Sequence, residues 1–173
     1  MQFIKLLLAI LSLIYTVYSN EYDFKNYTVV DGLSESTINV IFEDDKGFLY
    51  IGTENGLGLF DGLTFFNYKM NVFNETTIFG NNIKSICQDD YGDIWVGTEL
   101  GLSKLNTRTR KFERIPNTKY NLKDIEKIFN DKDGNIWFRN SDGIYKYEQT
   151  LNEVECISCG DNLEINSFSN IYS

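Results

Sequence analysis

One nine-residue motif, Ile94-Trp95-Val96-Gly97-Thr98-Glu99-Leu100-Gly101-Leu102, occurs in this chain in three related versions. The first version is Leu49-Tyr50-Ile51-Gly52-Thr53-Glu54-Asn55-Gly56-Leu57, and the third is Ile136-Trp137-Phe138-Arg139-Asn140-Ser141-Asp142-Gly143-Ile144. A glycine before each version, at positions 47, 92 and 134, gives spacings of 92 − 47 = 45 and 134 − 92 = 42 residues. The chain is therefore built of repeats, and a repeat of this length is typical of one propeller blade.

Each repeat has the sequence features of four short strands. An alternating apolar run, such as Ile38, Val40 and Phe42, indicates the first strand. The turn Asp44-Asp45-Lys46-Gly47 and its two later copies indicate a tight hairpin, because Asp can accept a backbone N–H and Gly adopts a positive φ at little cost. The motif then supplies a second strand, a glycine turn and a third strand, and a polar loop leads to a fourth. Four antiparallel strands per unit predict an all-β chain folded as a β-propeller.

The repeat pattern also predicts the domain boundaries. Blades are expected at about 37–68, 82–115 and 122–158, with the start of a fourth at 163–173. Residues 20–36 are expected to form a latch strand, meaning an outer strand donated by the N-terminus, followed by a lead-in loop. Three blades with one further strand at each end fall short of the roughly four to eight blades that close a propeller, so an incomplete ring is expected.

Residues 1–19 have the pattern of a secretory signal peptide. Lys5 is their only charged residue, residues 6–14 are apolar apart from Ser12, and Val17 and Ser19 precede Asn20 at suitable positions for cleavage. The apolar run is shorter than the ~20 residues that span a bilayer, which favours cleavage over the alternative of an uncleaved membrane anchor. The pattern predicts a secreted or periplasmic protein.

Composition excludes several kinds of function. The net charge of −9 disfavours nucleic acid as a partner, and it leaves membrane contact only to the signal segment or to a helix downstream of this sequence. The chain contains no histidine, which removes Ser-His-Asp and Cys-His catalysis and the commonest zinc ligand. No catalytic residue, metal site or cofactor is predicted.

Two patterns have both a structural and a chemical interpretation. Cys156 and Cys159 allow a redox pair or half of a zinc site, but without a second pair they favour a local disulfide or an incidental pair. The sequence Asp131-Lys132-Asp133-Gly134-Asn135 resembles the start of a calcium loop, although a turn explains an Asp-x-x-Gly pattern that every repeat contains. The many carboxylates allow a glycosidase pair that sequence alone does not place.

The third repeat departs from the first two where a ligand is most accessible. Gly52-Thr53 and Gly97-Thr98 are replaced by Arg139 and Asn140, at the turn between the second and third strands. If the first strand lines the channel, this turn lies at the channel mouth, so Arg139 and Asn140 are the candidate ligand-binding residues; the alternative is drift within a degenerate repeat. The aromatic residues Tyr50, Trp95 and Trp137 are expected to pack between blades rather than to stack on sugars.

The first repeat from Glu43 to Leu57 and the motif quoted above resemble the repeat of the two-component regulator propeller family. Asp31-Gly32-Leu33-Ser34 is similar to that family's opening motif, and the resemblance covers residues 24–173. WD40 and kelch repeats fit less well, since their Gly-His, Trp-Asp or double-glycine signatures are missing. The resemblance implies the periplasmic sensor region of a hybrid sensor histidine kinase, in bacteria that sense polysaccharides.

The sequence therefore predicts an extracytoplasmic sensor propeller that binds a polysaccharide-derived oligosaccharide and is not itself an enzyme. Kinase motifs and a later transmembrane segment do not occur in this sequence, so the chain is expected to lack its own output domain. The resemblance also allows a homodimer in a full-length sensor. The alternatives from other classes are a propeller-fold lyase or glycosidase fragment and a scaffold for protein partners.

Overall fold

A computed structural model describes residues 4–5, 24–116 and 119–159 of the chain. Within these residues it contains three four-stranded antiparallel sheets, in each of which the strands lie in sequence order. The predicted all-β propeller architecture, with an incomplete ring, is confirmed. The predicted signal peptide, apart from residues 4–5, and the predicted start of a fourth blade at 163–173 lie outside the described residues.

The three sheets are the three predicted blades. Blade 1 contains β1 (Ile38–Glu43), β2 (Leu49–Thr53), β3 (Gly56–Phe60) and β4 (Phe65–Tyr68). Blade 2 contains β5 (Ile83–Gln88), β6 (Ile94–Thr98), β7 (Leu102–Asn106) and β8 (Lys111–Arg114). Blade 3 contains β9 (Lys127–Asn130), β10 (Ile136–Asn140), β11 (Gly143–Glu148) and β12 (Glu153–Cys159). Strand β9 starts two residues after the predicted Ile125, whose backbone N–H donates to the Thr98 carbonyl of blade 2 instead.

The acidic turns form as predicted, and their geometry is the same in every blade. In blade 2, Asp89 Oδ1 accepts the backbone N–H groups of Tyr91 at 3.0 Å and Asp93 at 2.9 Å. Gly92 has a φ of 80°, in the left-handed region that favours glycine. Asp44 and Asp131 each accept the two equivalent backbone N–H groups in their own turns. These turns fix the register of the first hairpin in each blade.

Successive blades pack face to face, with the first strands β1, β5 and β9 next to one another. Tyr50 lies in the core between blades 1 and 2, and Trp95, which is fully buried, lies in the core between blades 2 and 3. The Trp95 ring contacts the Tyr147 ring of the next blade at 4.9 Å between centroids. The expectation that these aromatic residues pack between blades is confirmed for both boundaries.

The predicted latch strand is wrong. Residues 24–28 adopt no regular structure, and Val29–Asp31 form a short 3-10 helix whose N-cap residue, Thr28, exchanges hydrogen bonds with Asp31. The segment instead covers blade 1, because Tyr27 and Leu33 pack with Phe60 in a small separate core.

The first blade shows that the ring is open on its leading side. Ile38 of β1 is 44% exposed, whereas the equivalent Ile83 of β5 is fully buried by blade 1. Apart from the small core that Tyr27 and Leu33 form with Phe60, this face of blade 1 has no neighbour among the described residues, and a closed ring would place a further blade there. Within residues 4–5, 24–116 and 119–159, no helix is long and apolar enough to cross a membrane.

Candidate functional site

The Gly-Thr pairs of blades 1 and 2 have a packing role that explains their glycine. A Cβ atom placed on Gly52 would lie 2.6 Å from Cγ2 of Ile83, and one placed on Gly97 would lie 2.7 Å from Cγ2 of Ile125. Each isoleucine precedes or begins the first strand of the following blade. Glycine is therefore required at this position wherever that isoleucine packs directly on the backbone of the preceding blade.

The threonine of each pair ties its hairpin to the segment that leads into the same blade. Thr98 Oγ1 accepts the backbone N–H groups of Leu100 and Gly101, and it donates to the carbonyl of Phe79 in the lead-in segment. In blade 1, Thr53 Oγ1 accepts the backbone N–H of Asn55 and lies 3.0 Å from the hydroxyl of Ser34. The threonine hydroxyl thus adds to the hydrogen bonds that join the two segments, such as those that the backbone N–H groups of Asn81 and Asn82 donate to Glu99 in blade 2.

Asn140 performs this threonine role in blade 3, which corrects its assignment as a ligand-binding residue. It is only 3% exposed, and its Oδ1 accepts the backbone N–H groups of Asp142 at 2.9 Å and Gly143 at 3.1 Å. Its Nδ2 donates to the carbonyls of Asn121 at 2.7 Å and Lys123 at 2.9 Å. Both donor hydrogens are used inside the fold, so Asn140 has none left to offer a ligand.

Arg139, in contrast, lies on the outward face of blade 3. Along β10, Ile136 and Phe138 belong to the core shared with blade 2, so the alternating residues Trp137 and Arg139 lie on the opposite face. Nη2 of Arg139 forms an ion pair with Oε2 of Glu126 at 3.1 Å, and both side chains are about 40% exposed. A larger side chain is tolerated because no described blade packs here. We call this surface, comprising Glu126, Trp137 and Arg139, the Arg139 face.

The indole groups bind the acidic turns, which the sequence did not indicate. Trp95 Nε1 donates to Asp89 Oδ2 at 2.9 Å, and Trp137 Nε1 donates to Asp131 Oδ2 at 2.6 Å. The tryptophan follows the aspartate by six residues in both blades, a spacing that could have revealed the contact. Together with the backbone N–H donors, these bonds explain the Asp-x-x-Gly turns of blades 2 and 3 without a bound cation. The described residues contain no group of three or more ligating side chains placed to hold a metal ion.

These hydrogen bonds lead to a prediction about acid stability. Partial burial raises the pKa of Asp131, but the bonds donated by Asn135, Trp137 and the backbone outweigh it, so the pKa lies below its ordinary value. A carboxylate with a lowered folded pKa stabilises the protein above the unfolded pKa of about 4 and loses that contribution as pH falls through the folded value. We expect Asp131→Asn to flatten the decline in stability below about pH 4, measured by urea unfolding across pH. An unchanged pH dependence would contradict the assignment.

The cysteines are divided between a disulfide and a buried thiol. Cys156 and Cys159 form a disulfide within the edge strand β12, with 6.2 Å between their Cα atoms. The pairing with β11 is irregular here, where Tyr145 lies opposite Cys156 and Ile144 lies opposite Ser158. Of the interpretations that the sequence allowed, the structure has the local disulfide. Cys87 is buried, and burial together with the charge of Asp89 raises the pKa of its thiol.

Parts of this chain are similar in sequence to known proteins. Residues 32–55 and 77–99 match the family described as two component regulator propeller. Over 73 residues, the chain is 37% identical to histidine kinase P4 of Formosa agariphila, a stretch covering 42% of this chain and 5% of that protein. The chain therefore corresponds to a small part of its curated relative.

Solved structures with the same fold include extracellular domains of proteins described as two component and one component systems. One is from a B. thetaiotaomicron protein described as a hybrid two component system; it has a TM-score of 0.68 and 24% identity, covering 76% of this chain and 19% of that one. A second domain from that organism, described as part of a one component system, has a TM-score of 0.64 and 22% identity, covering 87% of this chain and 19% of that one.

An enzyme also shares the fold. A catalytically inactive virginiamycin B lyase from Staphylococcus aureus has a TM-score of 0.59 at 12% identity, covering 79% of this chain and 45% of that one. At this level of identity the similarity concerns the fold alone.

Proposed function

We propose that this chain, whose residues 32–55 and 77–99 match the two component regulator propeller family, is the ligand-binding part of an extracytoplasmic sensor. The observation that supports the proposal most is the combination of this repeat with a fold shared by extracellular domains of two-component systems. The ligand in this proposal is an oligosaccharide derived from a polysaccharide. The chain binds this ligand without transforming it, and the signal is passed on by domains beyond this stretch of sequence.

The Arg139 face is the proposed contact surface for that ligand. A guanidinium group offers several N–H donors in fixed directions, which suits the hydroxyl and carboxylate oxygens of sugars. Glu126 holds Arg139 at 3.1 Å and adds an acceptor beside it, and the indole of Trp137 lies on the same face. Blades 1 and 2 have glycine where blade 3 has Arg139, so blade 3 alone among the described blades presents this set of groups.

Localisation and partners follow from the same proposal. A cleaved signal peptide at residues 1–19 places the propeller in the periplasm or outside the cell, and a downstream helix anchors it in the full-length sensor. The full-length sensor acts as a homodimer. The net charge of −9 supports a role without nucleic acid.

The proposed contact predicts the effect of one substitution. We expect Arg139→Gln to weaken the binding of a cognate oligosaccharide tenfold or more, because loss of a charged hydrogen-bond donor costs about 1.5–3 kcal/mol. Calorimetric titration of the chain with short neutral and acidic oligosaccharides measures this change. The matched control is Lys132→Gln, which removes the same charge from an exposed turn of the same blade.

Equal affinities of the Arg139→Gln variant and the unaltered chain would remove the Arg139 face from the proposal. Release of product during the titration would instead favour the lyase or glycosidase alternative. Similarity to the lyase is limited to the fold, at 12% identity. The sensor is therefore the better-supported function.

A further inference from the structure

A cavity of about 280 Å³ lies between blades 2 and 3, on the side of blade 3 opposite to the Arg139 face. The segment that connects the two blades forms one wall through Ile115 and Tyr120. The hairpin of β11 and β12 forms the other wall through Tyr147 and Val154. This cavity is separate from the surface proposed above.

The cavity coincides with a substitution within the repeat. In β12, Val154 lies opposite Tyr147, and at the equivalent place in blade 2, Phe112 lies opposite Leu105. Blade 1 also has phenylalanine there, since Phe65 lies opposite Phe60. Only the third blade has a small side chain at this position, which leaves space that a ring fills in the other two.

The boundary between blades 1 and 2 shows how the filled version looks. Phe112 is buried, and its ring contacts the Tyr68 ring edge-on at 5.4 Å between centroids. Its backbone N–H also donates to the carbonyl of Thr76 in the connecting segment at 2.9 Å. Between blades 2 and 3, Ile115 occupies the position that Tyr68 has between blades 1 and 2. The backbone N–H of Ile115 donates to the carbonyl of Leu102, and Tyr68 lies opposite Leu57, the equivalent residue of blade 1. Two aromatic rings are thus replaced by two aliphatic side chains.

Polar groups surround the opening of this cavity. Lys119 and Glu153 supply one cation and one carboxylate, and Tyr120 supplies a hydroxyl. Asn152 has a left-handed φ of 55°, and its Oδ1 accepts the Tyr147 hydroxyl proton at 2.5 Å. Burial, with the Glu113 charge adding to it, raises the pKa of Tyr147 to about 12, so this hydroxyl stays protonated and keeps donating. An apolar floor with both donors and acceptors at its edge is the usual composition of a small-molecule site.

We propose that this cavity binds a single pyranose ring. The C–H face of such a ring packs on the apolar floor formed by Ile115, Tyr147 and Val154. Its hydroxyl groups both donate and accept hydrogen bonds, and therefore match a rim that carries Lys119 beside Glu153. An ion of either sign finds less support, because the rim is balanced in charge. The inference rests on this cavity and not on the Arg139 face.

The test is ligand-observed NMR titration of the full chain with three methyl glycosides, those of glucose, galactose and mannose, and with leucine as a non-sugar probe. We expect at least one glycoside to bind and leucine not to bind. Val154→Phe, which restores the side chain of the other blades, should weaken that binding at least tenfold while the thermal midpoint stays the same or rises. Arg139→Gly should leave it unchanged.

Asn152→Gly is the second variant, because glycine keeps the left-handed turn and removes the amide at the rim. This variant should weaken the binding of the same glycoside. It tests the site if the Val154→Phe chain does not fold. The proposal is overturned if no glycoside binds, if leucine binds in their place, or if a folded Val154→Phe chain binds as the unaltered chain does. Loss of glycoside binding in Arg139→Gly alone would overturn this site and leave the sensor proposal standing.

Discussion

Trp95→Ala is expected to lower the free energy of unfolding by roughly 3–5 kcal/mol, the range for deleting a large buried aromatic side chain. Trp95 is fully buried between blades 2 and 3, where its ring contacts Tyr147 at 4.9 Å. Its indole N–H donates to the buried carboxylate of Asp89, and the Nζ of Lys104 lies 5.5 Å from its ring centroid. Folded domains are commonly stable by only about 5–15 kcal/mol, so this loss should unfold a measurable fraction. Urea unfolding followed by circular dichroism measures the effect.

Trp137→Ala is the matched control, because Trp137 occupies the same position in blade 3. Its ring stacks on Phe129 at 6.0 Å and its indole donates to Asp131, but no described blade covers it. We expect a loss of roughly 1–2 kcal/mol, less than half of that for Trp95→Ala. Equal losses for the two variants would mean that the boundary between blades does not account for the burial energy of Trp95.

Gly97→Val is expected to lower the free energy of unfolding by roughly 2–3 kcal/mol through overpacking. The added Cβ would lie 2.7 Å from Cγ2 of Ile125 and 2.9 Å from its carbonyl oxygen. The oxygen belongs to the backbone, so relief requires blades 2 and 3 to separate. Thermal unfolding followed by circular dichroism gives the shift in midpoint, which should be several degrees downwards.

A double-mutant cycle with Ile125→Ala provides the control for this prediction. Valine at position 97 would occupy part of the space that the isoleucine leaves, so the double variant should be more stable than the sum of the single changes predicts. Strict additivity would show that Gly97 and Ile125 do not share this space. Arg139→Gly, which places glycine at the same position of blade 3, should change stability by no more than about 1 kcal/mol, because the Arg139 side chain is 40% exposed and its ion pair with Glu126 lies at the surface.

The two predicted ligand-binding residues, Arg139 and Asn140, lie in different environments in the structure. The break in the repeat at positions 139 and 140 was visible in the sequence, and Arg139 does lie on an outward face. Asn140 was misassigned, because its amide is used inside the fold. It accepts two backbone N–H groups of its own hairpin and donates to two carbonyls of the lead-in segment, as the threonine hydroxyl does in part in blade 2. The three repeat sequences differ in residue type at this position, but they do not reveal that threonine and asparagine bind equivalent backbone groups in their respective blades.

Sequence patterns were enough to predict the period of the repeat, the four strands of each blade and the acidic turns between them. These features depend on alternation, on glycine at positive φ and on aspartate accepting nearby N–H groups, all of which act within a few residues of the chain. Two features became visible only in the folded chain: residues 24–30 cover blade 1 without forming a strand, and Val154 borders a cavity. Both outcomes depend on side chains that are distant in the sequence, Tyr27 with Phe60 and Val154 with Ile115, and such packing is set by shape and volume rather than by local pattern.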